Sequence, residues 1–328
     1  MSGNLMTNNL TADNLTIGNP RHLGVTRAQQ TAPVAIKINL YNALEASAVL
    51  EAIATTRSAE AVECFMVGDS YLMTHLGHAS TQLETRAQQD WFLNVMIALV
   101  GEVSRTLAPL KTTRRPFLIA DLPDGAATTP ARCLAAAERL AAAGAEAYKL
   151  EITSKGSLAV LEAMARSGFA VLAHIGYTPQ DGTNRRYGDT VDEAHELFRY
   201  ARAARDHGAC GLTLERVSEP VNRALCHPRP SALPIYSIFS GKAAGGGQSL
   251  NVWDSVFVPE CPRRYFPPTA TLSRSSYPAG YTEAVIREHM TRLLAATLRG
   301  EFPLSPPTQL SAGDVEGLLE LDPWQTVG

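Results

Sequence analysis

Residues 116–152, PFLIADLPDGAATTPARCLAAAERLAAAGAEAYKLEI, hold one whole structural period. An apolar run, FLIA, ends on Asp121 and turns at Pro123. TPARCLAAAERLAAAGA (129–145) then spaces its apolar residues as a helix does, with Pro130 in its first turn and Gly144 at its end. A second apolar run, AYKLEI, starts at 147 and carries Lys149 and Glu151. Strand, helix and strand in that order make a βαβ unit, the building block of a parallel sheet.

The same alternation extends in both directions. Further strand-like runs are VAIKINLY from 34, ECFMVGD from 63, FAVLAHIG from 169, CGLTLERV from 210, ALPIYSIF from 232 and DSVFVPE from 254. Helical stretches such as SKGSLAVLEAMARSG and DEAHELFRYARAARDHGA lie between them. About eight repeats in one domain favour an α/β fold closed as a (β/α)8 TIM barrel over an open doubly wound sheet. No GxGxxG follows the first strand, which weighs further against a nucleotide-binding sheet. GKAAGGGQ (241–248) reads as a loop, and not a P-loop, because Lys242 precedes its glycines. The expected division is a flexible arm over 1–30, a catalytic barrel over 31–305 and a tail over 306–328. A helix is expected near 282–298, and a short one within DVEGLLELDPWQ.

Composition narrows the function. The chain has 328 residues, 45% apolar and 19% charged, with a net charge of -3. That balance makes no electrostatic case for nucleic acid or a membrane surface. No apolar run approaches the ~20 residues of a membrane span. The N-terminal stretch lacks the basic and apolar regions of a signal peptide. Five cysteines, an odd number without CxxC spacing, argue against a disulfide framework or a zinc site. A cytoplasmic protein is the expectation.

Polar residues collect at the C-terminal ends of the apolar runs: Asp69 and Ser70, Asp121, Lys149 and Glu151, His174, and Glu215. In a parallel barrel those ends share one mouth, where the chemistry sits. Each has a plainer reading: Asp69 as a helix cap, Asp121 as a turn residue, Lys149 with Glu151 or Glu215 as a structural ion pair, His174 as a core histidine. Together they are more specific. Converging carboxylates repel without a counter-ion, and a hard divalent cation such as Mg2+ resolves this with oxygen ligands. His75, His78, His195, His207 and His227 have no comparable context and read as surface or loop residues.

The pieces MVGDS…GHAST, IADLP, YKLE, AHIGYTPQ and LTLERV, in this order, resemble the ketopantoate hydroxymethyltransferase family, within the phosphoenolpyruvate mutase and isocitrate lyase superfamily. TEAVIREHMTRLLAATLRGEFP is similar to that family's last helix, so the resemblance runs from about residue 34 to 305. It implies a (β/α)8 barrel in a homo-oligomer, a decamer. It implies a Mg2+ site at Asp69, Asp121 and Glu151, oxo-acid binding by Ser70 and Lys149 beside Asp69 and Asp121, a proton acceptor at Glu215, and His174 beside the substrate. The implied reaction enolises a 2-oxo acid, 3-methyl-2-oxobutanoate or a relative. It then adds the one-carbon unit of 5,10-methylenetetrahydrofolate.

The loops depart from the family pattern. The first strand ends INLYN in place of an AYD-like end, and Ala79 replaces an aspartate. QLETRAQQDWF replaces a more apolar segment. Ile152 and Thr153 replace a glycine pair, Arg216 follows Glu215, and the seventh strand ends YSIFSGKAAGGGQ with Phe239 and Lys242. Retained enolate chemistry on an altered substrate is the reading. Two alternatives stand beside it: a carbon–carbon lyase or aldolase, though a KKCGH-type loop is missing, and a non-catalytic barrel paralogue.

Overall fold

The computed structural model describes residues 34–110, 115–181, 187–229, 231–241, 246–252, 283–301 and 308–325. The expected arm over 1–30 and the stretch 254–260 lie outside these residues. Eight parallel strands close on themselves in chain order. They are β1 (Ile36–Leu40), β2 (Val62–Val67), β3 (Phe117–Asp121), β4 (Ala147–Glu151), β5 (Val171–Gly176), β6 (Gly211–Glu215), β7 (Ile235–Ile238) and β8 (Gly247–Asn251).

Helices cover the outside of the barrel. They include α1 (Ala43–Thr56), α2 (Tyr71–Thr74), α3 (Arg86–Leu107), α4 (Pro130–Ala142), α5 (Lys155–Arg166), α6 (Val191–Asp206) and α7 (Glu219–Cys226). Two more follow the barrel, α8 (Glu283–Leu298) and α9 (Ala312–Glu320). The helix read from residues 129–145 starts as its punctuation requires. Thr129 accepts the Arg132 N–H, Pro130 holds the first turn, and Gly144 ends it at a φ of 111°.

The last strand differs from expectation. GQSLN forms β8, so the glycine-rich stretch at 241–248 is loop only in part. This strand is polar and hides from a search for apolar runs. It is buried all the same, because β7 and β1 flank it. Gly247 fits there because a Cβ would come within 2.9 Å of the Ala35 carbonyl.

Two apolar clusters result. One fills the space between strands and helices, where α3 contributes Phe92, Met96, Val100 and Val103 at helical spacing. The other lies inside the barrel and includes Met66, Phe117, Ile119, Ala147 and Leu172. α8 packs on α1, and α9 packs on α7 and α6. Among the described residues no helix is long and apolar enough to cross a membrane.

Candidate active site

Strand register builds the site. Parallel pairing sets Asp121 opposite Lys149, Glu151 opposite His174, and Gly176 opposite Glu215. Side chains two apart on a strand share a face, so Asp121, Lys149 and His174 each top apolar residues inside the barrel. Below Asp121 are Ile119 and Phe117; below Lys149 is Ala147. The inner stack excludes water from beneath the charges, and the strand ends present them to one mouth.

Asp69 follows the break at Gly68. Its N–H donates to Asp121 Oδ2 at 3.2 Å, and its Oδ2 accepts the Gln180 amide at 3.0 Å. Its carboxylate therefore does not serve as a helix cap. Ser70 Oγ is 2.8 Å from the Tyr41 hydroxyl, which also accepts from Asn251. Lys149 Nζ lies 2.9 Å from Asp121 Oδ2, 3.2 Å from His174 Nδ1 and 3.9 Å from Glu151 Oε1. In a neutral ring Nδ1 accepts from this ammonium, which leaves the ring proton on Nε2, 3.3 Å from Glu215 Oε2.

A cavity of about 180 Å³ opens over these groups. Asp69, Ser70, Asp121, Lys149 and Glu215 line it, together with Lys37. Its size suits a small organic acid better than a drug-sized ligand, for which pockets run to roughly 300 Å³ and more. Glu151 and His174 are buried outside the lining. Glu151 Oε2 accepts the backbone N–H of Gln180, and both residues contact Lys149.

Burial pushes Asp69 up to about 7, and the neighbouring Asp121 charge adds to the effect. Burial also raises Glu151. Burial acts to lower Lys149, yet the Asp121, Asp69 and Glu151 carboxylates prevail and hold its proton more tightly than usual. The site thus carries more acid than its cations neutralise. Asp121 Oδ1 is buried without a hydrogen-bond partner. That orphaned oxygen beside Asp69 fits a hard cation, since Mg2+ takes one or two carboxylates and fills its remaining positions with water and substrate. Among the described residues no group of three or more His, Cys, Asp and Glu side chains is arranged to hold a metal. The fit therefore rests on the aspartate pair.

Several participants escape a reading of strand ends. Gln180 ties Asp69, Glu151 and the Leu122 carbonyl together from a short helical turn, Pro179–Asp181. Lys37 and Asn39, two apart on β1, point inward, and the polar alternation of IKINL is the signal that marks them. His75, expected at the surface, is only 14% exposed. It stacks on Tyr71 and pairs with Glu45 of α1 at 3.3 Å. Arg216 places its guanidinium 5.0 Å from the Tyr177 ring centre.

A family model described as ketopantoate hydroxymethyltransferase matches residues 39–275. The 3-methyl-2-oxobutanoate hydroxymethyltransferase of Hyperthermus butylicus is 28% identical over 284 residues, 85% of this chain and 86% of its own. The 3-methyl-2-oxobutanoate hydroxymethyltransferase 2 of Methylibium petroleiphilum is 31% identical over 252 residues, 74% of this chain and 80% of its own. A solved structure from Burkholderia cenocepacia J2315, described as a candidate lyase/mutase, matches with a TM-score of 0.50 at 16% identity. It covers 82% of this chain and 95% of that one, a likeness of fold alone. With its barrel matched from the first strand onward, the chain belongs to the ketopantoate hydroxymethyltransferase family.

Proposed function

We propose that this protein enolises a 2-oxo acid and transfers a hydroxymethyl group to its C3, with 5,10-methylenetetrahydrofolate as the donor. The observation that carries this reading is the meeting of Asp69, Asp121, Lys149 and Glu215 around one cavity. Asp69 and Asp121 would hold Mg2+, which when bound supplies Lewis-acid polarisation of the ketone. Glu151 holds Gln180 and Lys149 in place beside that pair.

The chain's own residues account for the remaining steps. Ser70 donates its hydroxyl to the acid's carboxylate. Lys149 sets a fixed positive charge where negative charge grows as C3 loses its proton. Glu215, whose side chain is 16% exposed at the cavity wall, takes that proton. His174 Nε2 stands 3.3 Å from Glu215 Oε2 and biases the orientation of that carboxylate. Water cleaves the two C–N bonds that hold the donor's methylene, which releases tetrahydrofolate and leaves the carbon as formaldehyde. The electron pair at C3 then forms the new C–C bond, and the former carbonyl oxygen takes a proton to become the hydroxyl. The family resemblance adds a homo-oligomer, a decamer, and the cysteine usage a cytoplasmic setting. Sedimentation velocity tests the first.

The test is C3 proton exchange in D2O, followed by NMR with Mg2+ and a panel of 2-oxo acids. Exchange is expected and should stop on chelation. Asp121→Ala should reduce it at least about a hundredfold, the scale of losing a fixed charge at a reacting centre. Exchange that persists in the folded Asp121→Ala protein overturns the role given to that carboxylate.

A further inference from the structure

Lys37 sits in the middle of β1, fully buried, and lines the cavity. Its ammonium has three protons to place. One goes to Asn39 Oδ1 at 2.7 Å, and a weak contact of 3.5 Å reaches Met66 Sδ. Among the described residues no carboxylate pairs with it, unlike Lys149, which has Asp121. Asp121 and Glu215 favour the Lys37 charge from beyond ion-pair distance, so its only direct partners among the described residues are one amide oxygen and a thioether.

Two neighbouring groups in the cavity also have hydrogens to spare. Asn39 spends its carbonyl oxygen on Lys37 and on Ser249. Its amide N–H groups have no partner among the described residues. Thr213 Oγ1 is buried without a hydrogen-bond partner. The set comprises an ammonium, an amide N–H and a hydroxyl, all able to donate. Burial pulls the Lys37 ammonium down to about 8, which leaves it mostly charged at neutral pH. A wholly apolar substrate tail would leave these donors unanswered.

The geometry points to Lys37, Asn39 and Thr213 as the recognition site for the far end of the substrate, a 2-oxo acid whose side chain bears a second carboxylate. This assignment rests on the enolisation reading above, in which Ser70, Lys149 and the Asp69–Asp121 pair receive the oxo-acid end. A carboxylate in this pocket accepts from all three donors and gives the buried ammonium a directly contacting counter-ion.

The test compares 2-oxoglutarate with 2-oxopentanoate, which match in chain length, using the wild type and Lys37→Met. C3 exchange in D2O gives kcat/KM, and calorimetry gives affinity. The wild type should favour the diacid by about tenfold or more in both readouts, and Lys37→Met should abolish that ratio, as expected for loss of a charged hydrogen bond. A wild type that favours 2-oxopentanoate, or a ratio unchanged in Lys37→Met, overturns the assignment. Thr213→Val gives a second variant should the lysine replacement not fold, with a ratio reduced about threefold, the scale of one neutral hydrogen bond. If neither these two nor any other acid of the panel exchanges, the enolisation reading fails. Calorimetry still decides this one: tighter diacid binding upholds it, and equal binding overturns it.

Discussion

Gln180 shows how much one uncharged side chain can organise. Its amide donates to Asp69 and to the Leu122 carbonyl, and its backbone N–H meets Glu151. It fixes the carboxylate of Asp69 without adding charge to a crowded acidic site. Residues that orient ligating groups typically matter by about 10-fold to 100-fold. Gln180→Ala should therefore slow C3 exchange by about that factor while leaving thermal stability nearly unchanged. A rate within twofold of wild type refutes the orienting role. Asp69, Asp121 and Glu215 were legible in the sequence because each ends an apolar run. Gln180 was not, because it sits in a turn and reaches Asp69, 111 positions away.

Among the elements, α8 carries a buried titratable group remote from the cavity. His289 is almost wholly inside, and burial, aided by Arg292, pulls its ring down to about 3. The folded state therefore keeps this ring neutral while the unfolded chain protonates it near the ordinary value of 6.5. Below that value the unfolded chain binds the extra proton, so stability falls as pH drops from 6.5 towards 3. His289→Leu should flatten this acid limb, so that the urea midpoint changes less between neutral and mildly acidic pH than in the wild type. An equally steep limb in the variant refutes this account. The helix itself was legible from its amphipathic pattern. The burial of its histidine was not, since that depends on the α1 face packed against it.

For the whole molecule, the C-terminal segment is part of the barrel's outer layer. Trp324 is 1% exposed, and its indole N–H donates to the Leu225 carbonyl at 3.3 Å. Arg202 and Arg205 hold the Pro323 and Trp324 carbonyls, and Arg229 pairs with Asp322. Trp324→Ala should cost about 3 kcal/mol, the usual range for removing a buried aromatic. Chemical denaturation measures that loss, while exchange per folded molecule should stay at the wild-type level because Trp324 is absent from the cavity lining. The sequence alone determined the alternation of strands and helices, the barrel class and the polar strand ends, because periodicity and punctuation are local. Only the tertiary structure decided that GQSLN is the eighth strand, that Lys37 is buried without an ion pair among the described residues, and that Glu151 lies outside the cavity lining. Those facts follow from closure and register, which bring together residues that no local pattern relates.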